Sequence, residues 1–317
     1  MRWLTKVTVF MAKGCGAAWE GGKNPLAADL EHILHCTPDV WEDLRDCRIF
    51  ITGGTGFVGT WLLESFCWAS DQLGTGAKAV VLTRNPAAFA AKAPHLAQHP
   101  AIELLNGDVR TFAFPAGRFS HVIHAAADAG AQPTGESALQ MFDTIVQGTR
   151  RALEFAVQAG AKKFLFTSSG AVYGRQPEEV AHVVEEFGGA PDPCATTSAY
   201  GEGKRSAELL CAIFHQQHGL ETKIARCFAF VGPYLPVNAR YAIGNFAGAA
   251  VQGLPITVTG NPATTRSYLY AADMAIWLWQ ILVRGQAGRP YNVGSEQAIT
   301  MAELAESVAG QFTPKPE

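Results

Sequence analysis

Residues Arg48–Thr60 read RIFITGGTGFVGT, and the fold hangs on how this stretch is read. Ile49, Phe50 and Ile51 form a short apolar run that suits a strand buried on both faces, as in a parallel sheet covered by helices. Glycines follow at 53, 54, 56 and 59. Their spacing fits G-x-x-G-x-x-G and, from Gly54, G-x-G-x-x-G. In such a turn Gly53 takes a positive φ, Gly56 lets an anion approach the backbone, and Gly59 packs the next helix close to the strand. Thr55, Phe57 and Val58 complete the loop and open that helix. Its unpaired N–H groups and partial positive charge make an anion site without any basic side chain.

The rest of the composition narrows the ligand. A chain of 317 residues is long enough for a large α/β core with a smaller appended lobe. The formal charge of -3 provides no basic footprint for nucleic acid, so a small molecule is the expected partner. Seven cysteines (15, 36, 47, 67, 194, 211 and 227) show neither C-x-x-C pairs nor histidine spacing, so neither a metal site nor a disulfide framework is expected. The apolar run VTVFMA near the N-terminus is too short for a signal-peptide core, and AIWLWQILV stops at Arg284 before membrane-spanning length. A reducing cytoplasm is the expected home, with no membrane partner.

Taken in order, residues 1–47 read as an N-terminal extension, glycine-rich from Gly14 to Gly22. Leu30, Ile33 and Leu34 share a helical face. Thr37 and Pro38 suit the N-cap and first turn of a short helix carrying Val40, Trp41 and Leu44. After the glycine loop come a helix with Trp61, Leu62, Leu63 and Phe66, then a strand at Ala79–Leu82 ending in Thr83-Arg84. This strand end chooses a dinucleotide: an acid there accepts from an adenosine ribose 2′-hydroxyl, and a basic residue accommodates a 2′-phosphate. Thr83 and Arg84 replace the acid, which favours NADP over NAD without excluding NAD. Strands follow at Ile102–Leu105, His121–His124 and Lys163–Thr167. After the fourth strand, Ala125, Ala126 and Ala127 leave the backbone open to a ribose or diphosphate. A helix is expected around Gly148–Ala159, so strand and helix alternate along the first half of the chain. That pattern predicts a Rossmann-like, doubly wound parallel sheet with ligand at the strand C-termini. His121 and His124 are assigned to packing, and Cys194 to a spectator thiol.

Chemistry enters with Ser198-Ala-Tyr200-Gly-Glu-Gly-Lys204, the start of a helix. Tyr200 and Lys204 are four apart and share a face. A lysine ammonium and an oxidised nicotinamide would both favour the phenolate of a tyrosine whose free pKa is about 10. Ser169, at the end of the fifth strand, is placed to hold a substrate hydroxyl as it loses its proton.

These motifs together resemble the extended short-chain dehydrogenase/reductases of the NAD(P)-dependent epimerase/dehydratase family, most of which act on nucleotide sugars. The resemblance rests on TGGTGFVG (52–59), GDVR (107–110), HAAA (124–127), SSGAVYG (168–174), Tyr200-x-x-x-Lys204, RCFAFVGP (226–233), RSYLYAADMA (266–275) and YNVGS (291–295). It implies a Rossmann domain over 48–228 and a substrate lobe over 229–317, interleaved with the first, in a homodimer joined through the helices after strands four and five. It also implies Ser169, Tyr200 and Lys204 as the catalytic triad. The cofactor would meet the glycine loop, Thr83, Arg84, Asp108, Val109, Ala125–Ala127 and Thr167, and the substrate would meet Ser169, Tyr173, Asn245 and Arg266. Arg266 suits a bidentate diphosphate contact. Where family 4,6-dehydratases carry an acidic pair, or at least a glutamate, this chain has Gly170 and Ala171, and Ala229 and Ile145 stand where asparagines are usual. The resemblance therefore implies epimerisation or keto-sugar reduction at a sugar carbon, C4, in preference to dehydration. The alternatives are a dehydratase, an NADP-dependent reductase of a non-nucleotide ketone, and a dinucleotide-sensing protein without turnover.

Overall fold

The computed structural model describes residues 24–126, 136–236, 241–312 and 316. Its frame is a seven-stranded parallel sheet in the order β3-β2-β1-β4-β5-β6-β9. The strands are β1 (Arg48–Thr52), β2 (Lys78–Thr83), β3 (Ile102–Asn106), β4 (His121–His124), β5 (Lys163–Ser169), β6 (Glu221–Cys227) and β9 (Pro290–Val293). The order reverses between β1 and β4, which pair in register from Ile49 opposite His121 to Thr52 opposite His124. That switch point, at the strand C-termini, is where a doubly wound sheet opens a crevice.

Helices cover both faces. On one lie α1 (Ala27–Cys36), α2 (Pro38–Asp43), α3 (Phe57–Leu73) and α9 (Ala271–Arg284), around a core that includes Trp41, Trp61 and Trp279. The Trp41 and Trp279 rings meet edge to face at 5.2 Å. The described part of the N-terminal extension therefore closes this face of the sheet. Pro38 opens α2 as expected, but Thr37 does not cap it: its hydroxyl donates to the Ile33 carbonyl at 2.6 Å, ending α1 instead. Residues 1–23, with the glycine-rich stretch, lie outside the described residues.

The opposite face carries α6 (Glu136–Gln158) and α7 (Ala199–His218) over Phe50, Phe155, Phe164 and Phe166. Strict alternation of strand and helix breaks once. Between β2 and β3 stand the short α4 (Pro86–Lys92) and α5 (Pro94–Ala97), but β3 reaches β4 through a helix-free loop. Phe112 and Phe119 from that loop pack against Phe50 at 5.3 and 5.9 Å, doing the covering work a helix would otherwise do.

Past β6 the chain builds a second, three-stranded sheet from β7 (Ala229–Val231), β8 (Thr265–Tyr270) and β10 (Ala298–Thr300), in the order β10-β8-β7. With α8 (Ala242–Val251) and α10 (Met301–Ala309) it encloses a third core of Val231, Ile243, Phe246, Leu304 and Val308. Between β8 and β10, α9 and β9 return to the main sheet.

Candidate active site

The glycine loop takes its shape from two close approaches. Gly53 has φ +71°, and a Cβ there would strike the Ala125 carbonyl and the Ala126 nitrogen. A Cβ on Gly59 would overlap the Gly53 oxygen and the Gly54 Cα, so α3 can leave β1 this closely only without a side chain. Gly56 is extended (φ −78°, ψ −176°) and no side chain caps α3. The loop thus abuts the end of β4 and offers main-chain donors. Ala125 and Ala126 line this seam, while Ala127 lies outside the described residues. Lys92, which the sequence gave no reason to single out, donates to the Thr55 carbonyl at 3.0 Å.

At the next strand ends Thr83 is nearly buried and Arg84 exposed. Arg110 chelates Asp108, Nε to Oδ1 at 2.9 Å and Nη2 to Oδ2 at 3.1 Å. That hydrogen bond holds the Asp108 carboxyl below its usual range, and the Arg84 charge adds to the effect. Val109 is nearly buried and packs closely on Gly148 of α6.

Across the switch point, β5 ends in two serines with different fates. The Ser168 hydroxyl donates to Glu208 at 2.5 Å, and Arg226 grips the same carboxylate at 3.0 and 2.7 Å. Ser169 Oγ accepts from the Ala171 amide at 3.2 Å and lies close enough to the Tyr200 phenol to lower its pKa. Burial pushes that phenol up to about 12, against the smaller opposing effect of Ser169. Lys204 is fully buried and donates to the Thr167 carbonyl at 2.6 Å, and burial lowers it to about 8. Its ammonium lies 5.9 Å from the Tyr200 ring centre. The three triad residues therefore converge, but in the protein alone the phenol moves away from neutrality, opposite to what a resting base needs.

Beneath this cluster His124 stacks on Phe166 and bridges Thr52 and Thr149 at 2.7 and 3.0 Å. Thr149 spends its proton on the Ile145 carbonyl, so it accepts from His124 Nε2–H, and Nδ1 accepts from Thr52. Burial holds this imidazole down to about 3. It is a neutral strut, tied by side-chain hydroxyls.

Tyr173 is engaged on the far side of this cluster. Its hydroxyl donates to Asn292 at 2.7 Å, Arg226 donates to it at 2.8 Å, and the residue is buried. Its hydroxyl proton and one lone pair are thereby used within the protein. Asn245 on α8 and Arg266 on β8 are exposed in the C-terminal lobe, and the Arg266 guanidinium donates to the Thr265 carbonyl. Tyr241, at the N-cap of α8, lies close enough to Tyr200 for their charges to interact. Its spacing of four from Asn245 was the one sequence signal that could have marked it. Among the described residues no group of side chains is arranged to hold a metal ion, and no helix is long and apolar enough to cross a membrane.

The model of the NAD dependent epimerase/dehydratase family matches residues 49–294. UDP-glucuronic acid decarboxylase 6 of Arabidopsis thaliana is 33% identical over 274 residues, covering 85% of this chain and 76% of that protein. UDP-glucuronic acid decarboxylase 1 of the same plant is 32% identical over 267 residues, covering 84% of this chain but 59% of the relative. Among solved structures, DesIV of Streptomyces venezuelae, a dTDP-glucose 4,6-dehydratase with NAD bound, superposes with a TM-score of 0.71 at 25% identity over 84% of this chain and 83% of that one.

Proposed function

The chain belongs to the NAD dependent epimerase/dehydratase family, and we propose that within it this protein uses NAD(P) to reduce a keto group at C4 of a nucleotide sugar. The observation that carries the reading is the Tyr200 phenol, buried beside Ser169 and held protonated up to about 12. Such a group is ready to give a proton. A sugar ketone that receives hydride becomes an alkoxide, Tyr200 Oη supplies its proton, and Ser169 fixes the oxygen between them. A dinucleotide held at the glycine loop would supply the hydride and, once oxidised, a positive charge.

Running the chemistry the other way requires the phenolate. Bringing Tyr200 from about 12 to neutrality takes roughly 7 kcal/mol, which Lys204 and the oxidised nicotinamide would have to provide. An epimerase needs both directions and is the second reading, since the same three residues serve it. The glycine loop with Phe57 and Val58 would hold the diphosphate, and Ala125, Ala126 and Thr167 the ribose side. Arg84 and Arg110 beside Asp108 favour a cofactor bearing a 2′-phosphate. Residues 229–317 would form the substrate lobe, with Asn245 and Arg266 on the nucleotide diphosphate. A homodimer through α6 and α7 accounts for Leu139 and Leu209, which are 65% and 62% exposed there, and the cytoplasm would be its home.

The test is to release and identify any dinucleotide from purified protein, then to offer nucleotide sugars and nucleotide 4-keto-sugars with and without NADPH. Turnover of a keto-sugar only with added NADPH supports reduction, whereas retained NAD and turnover without added cofactor support epimerisation. Tyr200→Phe should keep dinucleotide binding and lose roughly 10³-fold or more in turnover. Full activity in that variant would end both readings.

A further inference from the structure

We propose that Phe228 is the platform on which the sugar ring lies, and that this subsite takes hexoses whose C6 group is uncharged, methyl or hydroxymethyl, and rejects hexuronates. The inference rests on the nucleotide-sugar reading above and narrows it. Cys227 pairs with Ser169 across β5 and β6, so Phe228 stands one residue beyond the hydroxyl that holds the reacting carbon. Its amide donates to the Val293 carbonyl at 3.0 Å, which fixes the backbone between β6 and β9. Two glycines from separate elements make room for the ring. A Cβ on Gly170 would sit 2.8 Å from Phe228 Cε1, and one on Gly294 would sit 3.1 Å from Phe228 Cβ. Tyr173 stacks beside the ring with centroids 6.4 Å apart, and Arg226 and Asn292 hold Tyr173 in place. Phe228 nevertheless stays 37% exposed. A ring braced this firmly and still open at the ligand edge of the sheet offers an apolar face matching the C–H face of a pyranose.

The same packing removes charge from this edge. Neither Gly170, whose place for a Cβ is taken by the Phe228 ring, nor Ala171, which adds only a methyl, brings an acid to this edge. The arginines of the surrounding layer are committed, Arg226 to Glu208 and Tyr173 and Arg205 to the Val172 and Gly189 carbonyls, and the buried Lys204 faces the Tyr200 phenol. A sugar carboxylate brought against Phe228 would lose water and gain no partner from these groups.

The experiment uses the whole protein loaded with NAD(P)H and a matched set of nucleotide hexoses that share base and stereochemistry and differ only at C6: methyl, hydroxymethyl or carboxylate. Calorimetry should show the methyl and hydroxymethyl members binding at least about tenfold tighter than the carboxylate. Phe228→Leu should weaken both roughly fivefold while leaving dinucleotide affinity unchanged, which separates a sugar platform from a structural role. Equal or tighter binding of the carboxylate member, or its decarboxylation, overturns this inference and leaves the C4 reading standing. Unchanged sugar affinity in Phe228→Leu overturns the platform. If dinucleotide binds and no nucleotide sugar does, both readings fall together.

Discussion

The two ends of the central strands carry the same residue types under opposite conditions. At the N-terminal end, Lys223 is buried but paired with Glu221 at 2.7 Å, and Lys163 reaches the Val283 carbonyl with Asp43 nearby. At the C-terminal end, Lys204 is buried just as deeply and has a backbone carbonyl as its hydrogen-bond acceptor. A buried cation with its own carboxylate is settled; one without can stabilise an anion that forms elsewhere, in our proposal the Tyr200 phenolate. Each end of β4 also holds a neutral histidine: His121, lowered to about 4 by burial and the lysines around it, and His124, lowered to about 3 by burial and Lys204. Similar composition is thus paired off at one end of the strands and left available for the proposed chemistry at the other.

The sharpest way to break this contrast is to remove each lysine in turn. Lys204→Met should lower turnover by roughly 10³-fold while raising stability, because an uncompensated buried charge is lost. The depression of Lys204 from 10.5 to about 8 means that the unfolded chain binds the extra proton between those values, so parent stability should rise with pH across that window. At neutral pH the variant should gain up to about 3 kcal/mol, less about 1 for the bare Thr167 carbonyl. Lys223→Met should leave turnover untouched. Denaturant titrations and initial rates on both variants check this.

Acid comes next. The unfolded chain protonates His124 near 6.5, whereas the fold refuses the proton down to about 3, so its contribution is complete above 6.5 and is lost as pH falls. Between pH 7 and pH 4 that loss should be about 3 kcal/mol from His124, and His124→Gln should flatten the acid limb by a comparable amount in urea melts. The smallest effect is expected at the paired end. Glu221→Gln leaves Lys223 without its acid, but Glu221 is 48% exposed, so a cost of about 1 kcal/mol is expected, with kinetics unchanged.

How legible each region was follows from how local its physics is. The glycine loop could be read from spacing alone, because a turn followed by a close helix start constrains consecutive residues, and Gly53 and Gly59 meet their steric limits within that segment and at the adjoining β4 end. Tyr200 and Lys204 could be paired because one helix face joins them. The distinction between Ser168 and Ser169 could not be drawn from the motif, since it depends on Glu208 arriving from α7 and Arg226 from β6. The partner of the Tyr173 hydroxyl could not be read for the same reason: Asn292 lies on β9, far along the chain.

The sequence by itself determined the parallel sheet, the anion loop at the end of β1 and the types of group available for proton transfer, since these follow from periodicity, glycine stereochemistry and side-chain chemistry. Tertiary structure alone decided the protonation states, which of two serines is open, and that the Phe228 ring packs against Gly170. Those outcomes depend on burial and on partners brought together from distant strands, and neither is encoded in spacing.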